Sequence, residues 1–211
     1  MNRTEALAHA ERRSHLVAAM REDGVGPAPP IALAKRTSNL FRDRQAGPRR
    51  LIDLGDFNHV IDIDTACSTV EVEGMATYEA LVAATLRHGM MPAVVPQLKT
   101  ITVGGAVAGV GIEATSMRQG LVHHSVLELD VLLPDGRIVH CTPDNAHRDL
   151  FFGFPNSYGS LGYALRLVLR TLPVQPYVRV EHIAYEHPEE FFAALAEACE
   201  GDADFVDGVV F

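Results

Sequence analysis

Polar and apolar positions alternate most cleanly in Val60-Ile61-Asp62-Ile63-Asp64 and Thr69-Val70-Glu71-Val72-Glu73, the period-two pattern of strands with one wet face. Thr65 to Ser68 can turn between them, so the pair is predicted to form an antiparallel hairpin. Further on, Leu127, Leu129, Val131 and Leu133 alternate with Glu128 and Asp130, and Pro134-Asp135-Gly136 turns the chain into Arg137 to Cys141 as a second hairpin. A third strand is predicted where Tyr163, Leu165, Leu167 and Leu169 alternate with Ala164, Arg166, Val168 and Arg170, ending at Pro173.

Helical spacing occupies other stretches. Leu7, His15 with Leu16, and Met20 recur among charges between Thr4 and Arg21, which predicts a surface helix ended by Asp23-Gly24-Val25-Gly26-Pro27. Thr77 is placed to cap a helix in which Tyr78, Leu81, Val82 and Leu86 share a face, and Arg87 and His88 suit its negative end before Gly89. Pro29 to Gly47 mixes Pro, Lys, Arg, Ser and Asn without a period and reads as a loop. After Pro176 the pattern predicts a strand over Tyr177 to Tyr185, then a helix opened by Pro188, Glu189 and Glu190 with Phe191, Phe192 and Leu195 on a face. Phe205 to Phe211 reads as one more strand. A strand, a helix and a strand do not easily bury their apolar faces alone, so the stretch from Tyr177 reads as the opening of a further domain.

Composition narrows the classes. The 211 residues are 47% hydrophobic and 21% charged, an ordinary globular mixture. The 27 acidic residues outnumber 18 basic ones for a net charge of -9, which leaves no broad cationic face for nucleic acid. Cys67, Cys141 and Cys199 lie far apart with no CxxC, so neither a disulfide framework nor a zinc ribbon is expected and a reducing, cytoplasmic setting fits. Met1 to Glu22 lacks the apolar core of a signal peptide, and the most apolar windows are too short for a transmembrane segment.

The candidate chemistry centres on Thr102-Val103-Gly104-Gly105-Ala106-Val107-Ala108-Gly109-Val110-Gly111-Ile112-Glu113. Four glycines in eight residues remove side chains where backbone approaches something closely, and free N–H groups there can grip phosphate or flavin oxygens. A tight turn or close strand packing gives the same composition. Gly109 to Ala114 has Ala at the third glycine position of a Rossmann fingerprint and does not follow a clear strand, and no GxxxxGK[ST] is present. His123 with His124, and His140, Cys141 and His147, offer metal-binding atoms, but adjacent residues of an extended chain point to opposite faces, so no metal site is expected. Without a GxSxG elbow or HExxH helix, hydrolase chemistry has nothing to rest on.

The wider order of segments resembles a known family. Val95 to Gly105, Gly109 to Ser116, Gly120-Leu121, Glu128-Leu129, Leu133 to Gly136, Cys141-Thr142-Pro143, Asp149-Leu150-Phe151 and Gly159-Ser160-Leu161-Gly162 together resemble the FAD-binding domain of delta-24 sterol reductases. These belong to the broader vanillyl-alcohol-oxidase and para-cresol-methylhydroxylase (PCMH) type, which includes cytokinin oxidases. The resemblance runs from about Lys35 to the C-terminus and is strongest from Val94 to Pro173.

The resemblance implies an α+β, two-subdomain PCMH-type FAD-binding fold with the start of a truncated substrate domain. It divides the chain into an N-terminal helix and linker (1–28), the FAD-binding domain (29–175, subdomains about 29–98 and 99–175) and the beginning of the substrate or cap domain (176–211). Carried over by segment, it puts Thr102, Val103, Gly104, Gly105, Ala106, Gly109, Gly111, Ile112, Glu113 and Ser116 along the cofactor, with Gly159, Ser160 and Gly162 near the dinucleotide. In the place of the glycine-rich, sometimes histidine-linked pyrophosphate loop of many relatives stands Lys35-Arg36-Thr37-Ser38-Asn39. Its cations, hydroxyls and amide suit a diphosphate, which implies non-covalent FAD; a solvated surface pair is the alternative for Lys35 and Arg36. His124 matches a histidine of the sterol reductases, either near the flavin or structural. Glu113 is a candidate general base or, better, a flavin-facing hydrogen-bonding group. The implied activity is an FAD-linked oxidoreductase, with hydride transfer through flavin N5. It extends to NADPH-linked reduction of a carbon–carbon double bond in a sterol-like or other lipophilic small-molecule substrate. The alternative is a non-catalytic FAD-binding module or fragment. No catalytic residue is assigned.

Overall fold

The strongest alternation in the chain becomes its central strand. In the computed structural model, which describes residues 3–22, 31–34 and 50–211, strand β8 (Tyr163–Pro173) lies between β4 (Thr69–Glu73) and β6 (Val126–Leu132), antiparallel to both. The two predicted hairpins flank it. β3 (Val60–Asp64) pairs with β4, and β7 (Ile138–Cys141) with β6, giving the order β3-β4-β8-β6-β7. A short strand β5 (Met90–Pro92) pairs with the far end of β8. Strands from both sides of residue 98 thus share one antiparallel sheet. Separately, β1 (Ile31–Leu33) and β2 (Arg50–Ile52) form a parallel pair.

One face of the sheet carries Val70, Val72, Leu129, Val131, Leu167 and Leu169, all buried. Helix α2 (Tyr78–Leu86) and helix α3 (Val103–Gly109) bring Tyr78, Leu81, Val103 and Val107 to the same core. Thr77 caps α2 as its sequence suggests, accepting the Ala80 N–H at 3.2 Å. The buried face is rotated from expectation, however: Thr85 is buried and Leu86 is half exposed. The alternation in β6 is likewise interrupted: at the register shift between Val126 and Glu128, Val126 rather than Leu127 joins Leu129 and Val131 in the core, and Leu127 is exposed.

The opposite face is polar and is crossed by α1 (Arg3–Glu22), which does more than lie on the surface. Glu73 at the end of β4 is fully buried. It accepts His9 Nδ1 at 2.6 Å, Arg12 at 2.8 and 3.0 Å, and both the backbone and ring nitrogens of His59 at 3.0 Å. Buried Asp130 accepts Arg13 at 2.9 Å and His140 at 2.8 Å. A buried carboxylate is tolerated only with such partners. A second, smaller core holds Ile52, Leu54, Phe57, Leu132 and Leu165, with Leu16 and Met20 of α1 and Tyr163 packed against it.

Beyond Pro173 the helix opened by Pro188 is present as α6 (Pro188–Glu200). The strands expected over Tyr177 to Tyr185 and Phe205 to Phe211 are not formed. Alternation marks a surface fit for a sheet, but a ladder needs a neighbour, and no strand pairs with either stretch; Tyr177 is 90% exposed and Val210 74%. No helix among the described residues is long and apolar enough to cross a membrane.

Candidate functional site

The glycine-rich segment begins where Thr102 bridges Thr77 at the start of α2. Val103 N–H donates to Ala76 O at 2.9 Å and Gly104 N–H to Gly74 O at 2.8 Å, lashing the first turn of α3 to the end of β4. Gly104 has a packing reason of its own: a Cβ there would lie 3.0 Å from Gly74 O and 3.3 Å from Gly74 Cα. Val103 and Ala106 are buried in the core, and Ala106 N–H donates to Thr102 O at 2.9 Å. Gly105 is different. It is exposed, its N–H makes no such bond among the described residues, and a Cβ added to it would lie 2.8 Å from the Thr102 hydroxyl. Of Thr102 to Ala106, it is the residue that turns bare backbone outward. With seven residues, α3 adds only a small dipole to that amide.

The helix ends at Val110, whose φ of 58° is a left-handed conformation rare for a β-branched residue. Gly109 and Gly111 flank it. Gly111 O accepts Val122 N–H at 3.1 Å, and Ile112 is 78% exposed. Glu113 and Ser116 then form a closed turn: Ser116 Oγ accepts the Glu113 N–H at 2.9 Å, and Glu113 O accepts the Ser116 N–H at 2.8 Å. Burial pushes the Glu113 carboxyl up, the Gln97 N–H at 3.2 Å opposes this, and Asp207 adds to the rise. The C-terminal segment lies across this turn. Val206 N–H donates to Ala114 O at 2.9 Å, Gln97 Nε2 to Asp207 at 3.1 Å, and Arg118 to the carbonyls of Gly201 and Ala203.

The third segment meets the first. Tyr158 N–H donates to Ala108 O at 3.1 Å, which sets the turn before Gly159 and Ser160 against the end of α3. Asn156 and Tyr158 both have positive φ, and Ser160 Oγ closes the turn on Ser157 O at 2.6 Å. Gly162, at φ 133°, is required by packing, since a Cβ would lie 2.4 Å from Leu132 O of β6. Next to it, the Tyr163 hydroxyl donates to Ile31 O of β1 at 3.5 Å. Lys35, Arg36, Thr37, Ser38 and Asn39 lie outside the described residues; the strand end that precedes them, Ala34, is held by Ile52 O at 2.8 Å.

The histidines take other roles. His123 and His124 do not diverge as in an extended chain; they sit in a 3₁₀ turn (Val122–Ser125) with ring centroids 4.1 Å apart. His124 Nδ1 accepts the Leu121 N–H at 2.9 Å. His140 is paired with Asp130, and burial pushes the Cys141 thiol up to about 11. Among the described residues no three His, Cys, Asp or Glu side chains converge as metal ligands. Sequence reading missed Gly74, the backbone partner that Gly104 needs, and the strained Val110, Asn156 and Tyr158; none of these positions has a side-chain signature.

A diphosphate-bearing dinucleotide needs bare N–H donors, backbone without Cβ and positive charge. Among the described residues Gly105 offers both of the first two, and Gly109, Gly111 and Gly159 add backbone without a Cβ. The nearest cations are engaged, Lys99 with Glu79 at 2.8 Å and Arg118 with the two carbonyls. The bare amide and Cβ-free backbone among the described residues suit the phosphates of FAD.

A family model described as FAD binding domain matches residues 5–142. Delta(24)-sterol reductase from Arabidopsis thaliana is 32% identical over 194 residues, covering 87% of this chain and 33% of that protein. Delta(24)-sterol reductase from Homo sapiens is 31% identical over 153 residues, covering 72% of this chain and 30% of that protein. Cytokinin dehydrogenase 7 from Oryza sativa subsp. japonica is 31% identical over 150 residues, covering 69% and 28%. The chain spans about a third of the length of these relatives or less.

Proposed function

Because this chain belongs to the FAD binding domain family of the PCMH type, with sterol reductases and a cytokinin dehydrogenase among its relatives, we propose that it is the flavin-holding part of an FAD-dependent oxidoreductase. The observation that carries this reading is the exposed, unpartnered amide of Gly105 beside the contact between Ala108 and Tyr158. FAD would be held without a covalent bond. The Gly105 N–H and the backbone of Thr102 to Ala106 would bind the pyrophosphate from one side, and Lys35 to Asn39 would neutralise it from the other. Gly109, Gly111, Ile112, Glu113 and Ser116 would continue toward the flavin, and Gly159, Ser160 and Gly162 would border the dinucleotide. Bound flavin supplies hydride transfer at N5; the protein supplies orientation and electrostatics. Glu113, with its carboxyl raised by burial, would accept a hydrogen bond near the ring.

The substrate in this reading is a small lipophilic molecule with a reducible carbon–carbon double bond, by extension from the sterol reductases among the relatives, and NADPH would be the reductant. Residues 29–175 form the FAD-binding domain, whose antiparallel sheet runs across the expected subdomain boundary at about 98, and 176–211 open a substrate domain. The exposed apolar run at Tyr177, Val178, Val180 and Ile183 supports the last assignment, since a further layer would cover it. A cytoplasmic setting accords with the cysteine usage. A second reading is a flavin-binding module without turnover.

One preparation separates these readings. The purified protein is expected to be yellow, to release FAD on heating, and to bleach anaerobically with NADPH. A colourless protein that fails to take up added FAD rejects both readings, and bound flavin that NADPH does not reduce favours the module.

A further inference from the structure

A cavity of about 370 Å³ opens beside Val107 of α3 and is lined by none of the residues assigned to FAD. Helix α5 (Arg148–Gly153) supplies Phe151 and Phe152, whose rings meet edge to face at 5.3 Å. Val107, Val126 and Leu129 supply aliphatic surface, and the adjacent imidazoles of His123 and His124, tilted 52° to each other, supply the polar atoms. In a chain of 27 acidic residues, none lines this space. The Arg148 guanidinium sits 5.7 Å from the centroid of the Phe152 ring, and that ring is 60% exposed, so both belong to the rim.

The composition specifies an occupant. Aromatic and aliphatic walls of this size suit a flat ring system, in a cavity within the range of about 300–1,000 Å³ typical of small-molecule sites. Because His124 Nδ1 accepts the Leu121 N–H, its Nε2 is left as a donor. Burial, and then the neighbouring His124, hold the His123 imidazole below its ordinary value, so it adds hydrogen-bonding capacity without charge at neutral pH. A donor and a rim cation, with no carboxylate opposing them, favour an anionic oxygen on the ligand.

We propose that this cavity is a second small-molecule site, separate from FAD, for an aromatic ligand bearing a carboxylate or sulfonate. Its ring would lie against Phe151, Phe152 and the aliphatic surface, and its anionic oxygen near His124 Nε2 and Arg148. Val107 stands on the helix that carries Gly105, so an occupant would touch that helix from its buried side.

Anilinonaphthalene sulfonate is a suitable probe, titrated by fluorescence into the 211-residue protein with and without saturating FAD. One saturable site is expected, with affinity at least tenfold weaker in Phe152→Ala, which alters an exposed side chain, and in Val126→Phe, which fills the cavity. FAD should not displace the dye. The double variant Tyr177→Ser/Val180→Ser, at the exposed C-terminal apolar run, should bind it unchanged. Absence of a saturable site, undiminished affinity in Phe152→Ala, displacement by FAD, or loss of binding in the Tyr177/Val180 variant would each overturn the proposal. Loss of FAD uptake with dye binding intact would instead reject the cofactor assignment and leave this one standing.

Discussion

At the scale of single residues, adjacent glycines divide between holding the chain together and facing outward. Gly104 touches Gly74 through backbone, so Gly104→Val is expected to cost about 1–3 kcal/mol or more through overpacking, read as a lowered thermal midpoint. Gly105→Val would put a Cβ 2.8 Å from the Thr102 hydroxyl, which must move aside. The variant should still fold, with a lowered melting temperature, while FAD retention after gel filtration falls at least tenfold; retention by the folded variant would remove Gly105 from the cofactor contacts. Glu73 supplies a third test. Burial pushes its carboxyl up, but hydrogen bonds from His9, the His59 N–H, Arg12 and the His59 ring outweigh this and hold it below the ordinary carboxylate range. A lowered folded value means stability that is present above the unfolded value of about 4.3 and lost as pH falls through the folded one. Urea midpoints should therefore drop between about pH 5 and 3 in the native protein and less in Glu73→Gln. That variant should itself lose about 3 kcal/mol at pH 7, having left Arg12 without its carboxylate.

At the scale of elements, α1 is held by polar contacts along its first half and by Leu16 and Met20 on the smaller core along its second. His9 and Arg12 reach Glu73, Arg13 reaches Asp130, and Leu7, one of its apolar positions, is 59% exposed. Arg12→Ala/Arg13→Ala is expected to raise amide exchange across α1 at least tenfold while β8 stays protected, because the sheet's ladder does not depend on those side chains. Equal acceleration in β8 would show that α1 and the sheet open together. The same contrast explains what was legible. Both hairpins and β8 followed from alternation, and Thr77 marked its own helix, since those signals are local. The polar face was not legible, because Glu73 reads as the wet residue of a strand until His9, 64 positions away, is brought onto it. The strands expected at Tyr177 to Tyr185 and Phe205 to Phe211 failed for the complementary reason: their pattern is right, but pairing depends on a neighbour that the pattern does not encode.

At the scale of the whole molecule, the proposed cofactor site joins segments that are distant in the chain, so binding should couple to global stability. A ligand that binds only the folded state stabilises by RT ln(1 + [L]/Kd), about 2.7 kcal/mol at a hundredfold excess over Kd. Saturating FAD is thus expected to raise the melting temperature by several degrees, and an unchanged midpoint would count against a site spanning those segments. The site itself was partly legible. The glycine cluster announced an unusual backbone, and the order of motifs carried the family, but which glycine packs and which faces outward depends on Gly74 and Leu132, partners remote in sequence.

The central position of β8 also sets a timetable. β4, β5 and β6 all form their ladders with this strand, which is the last strand of the sheet in the chain. During synthesis the β3-β4 and β6-β7 hairpins emerge first, each only marginally stable as an isolated ribbon. They must wait with apolar faces uncovered until Tyr163 to Pro173 leaves the ribosome and closes the sheet between them. The nascent protein therefore assembles its core in one late step, and chaperone demand should peak just before the final strand is translated.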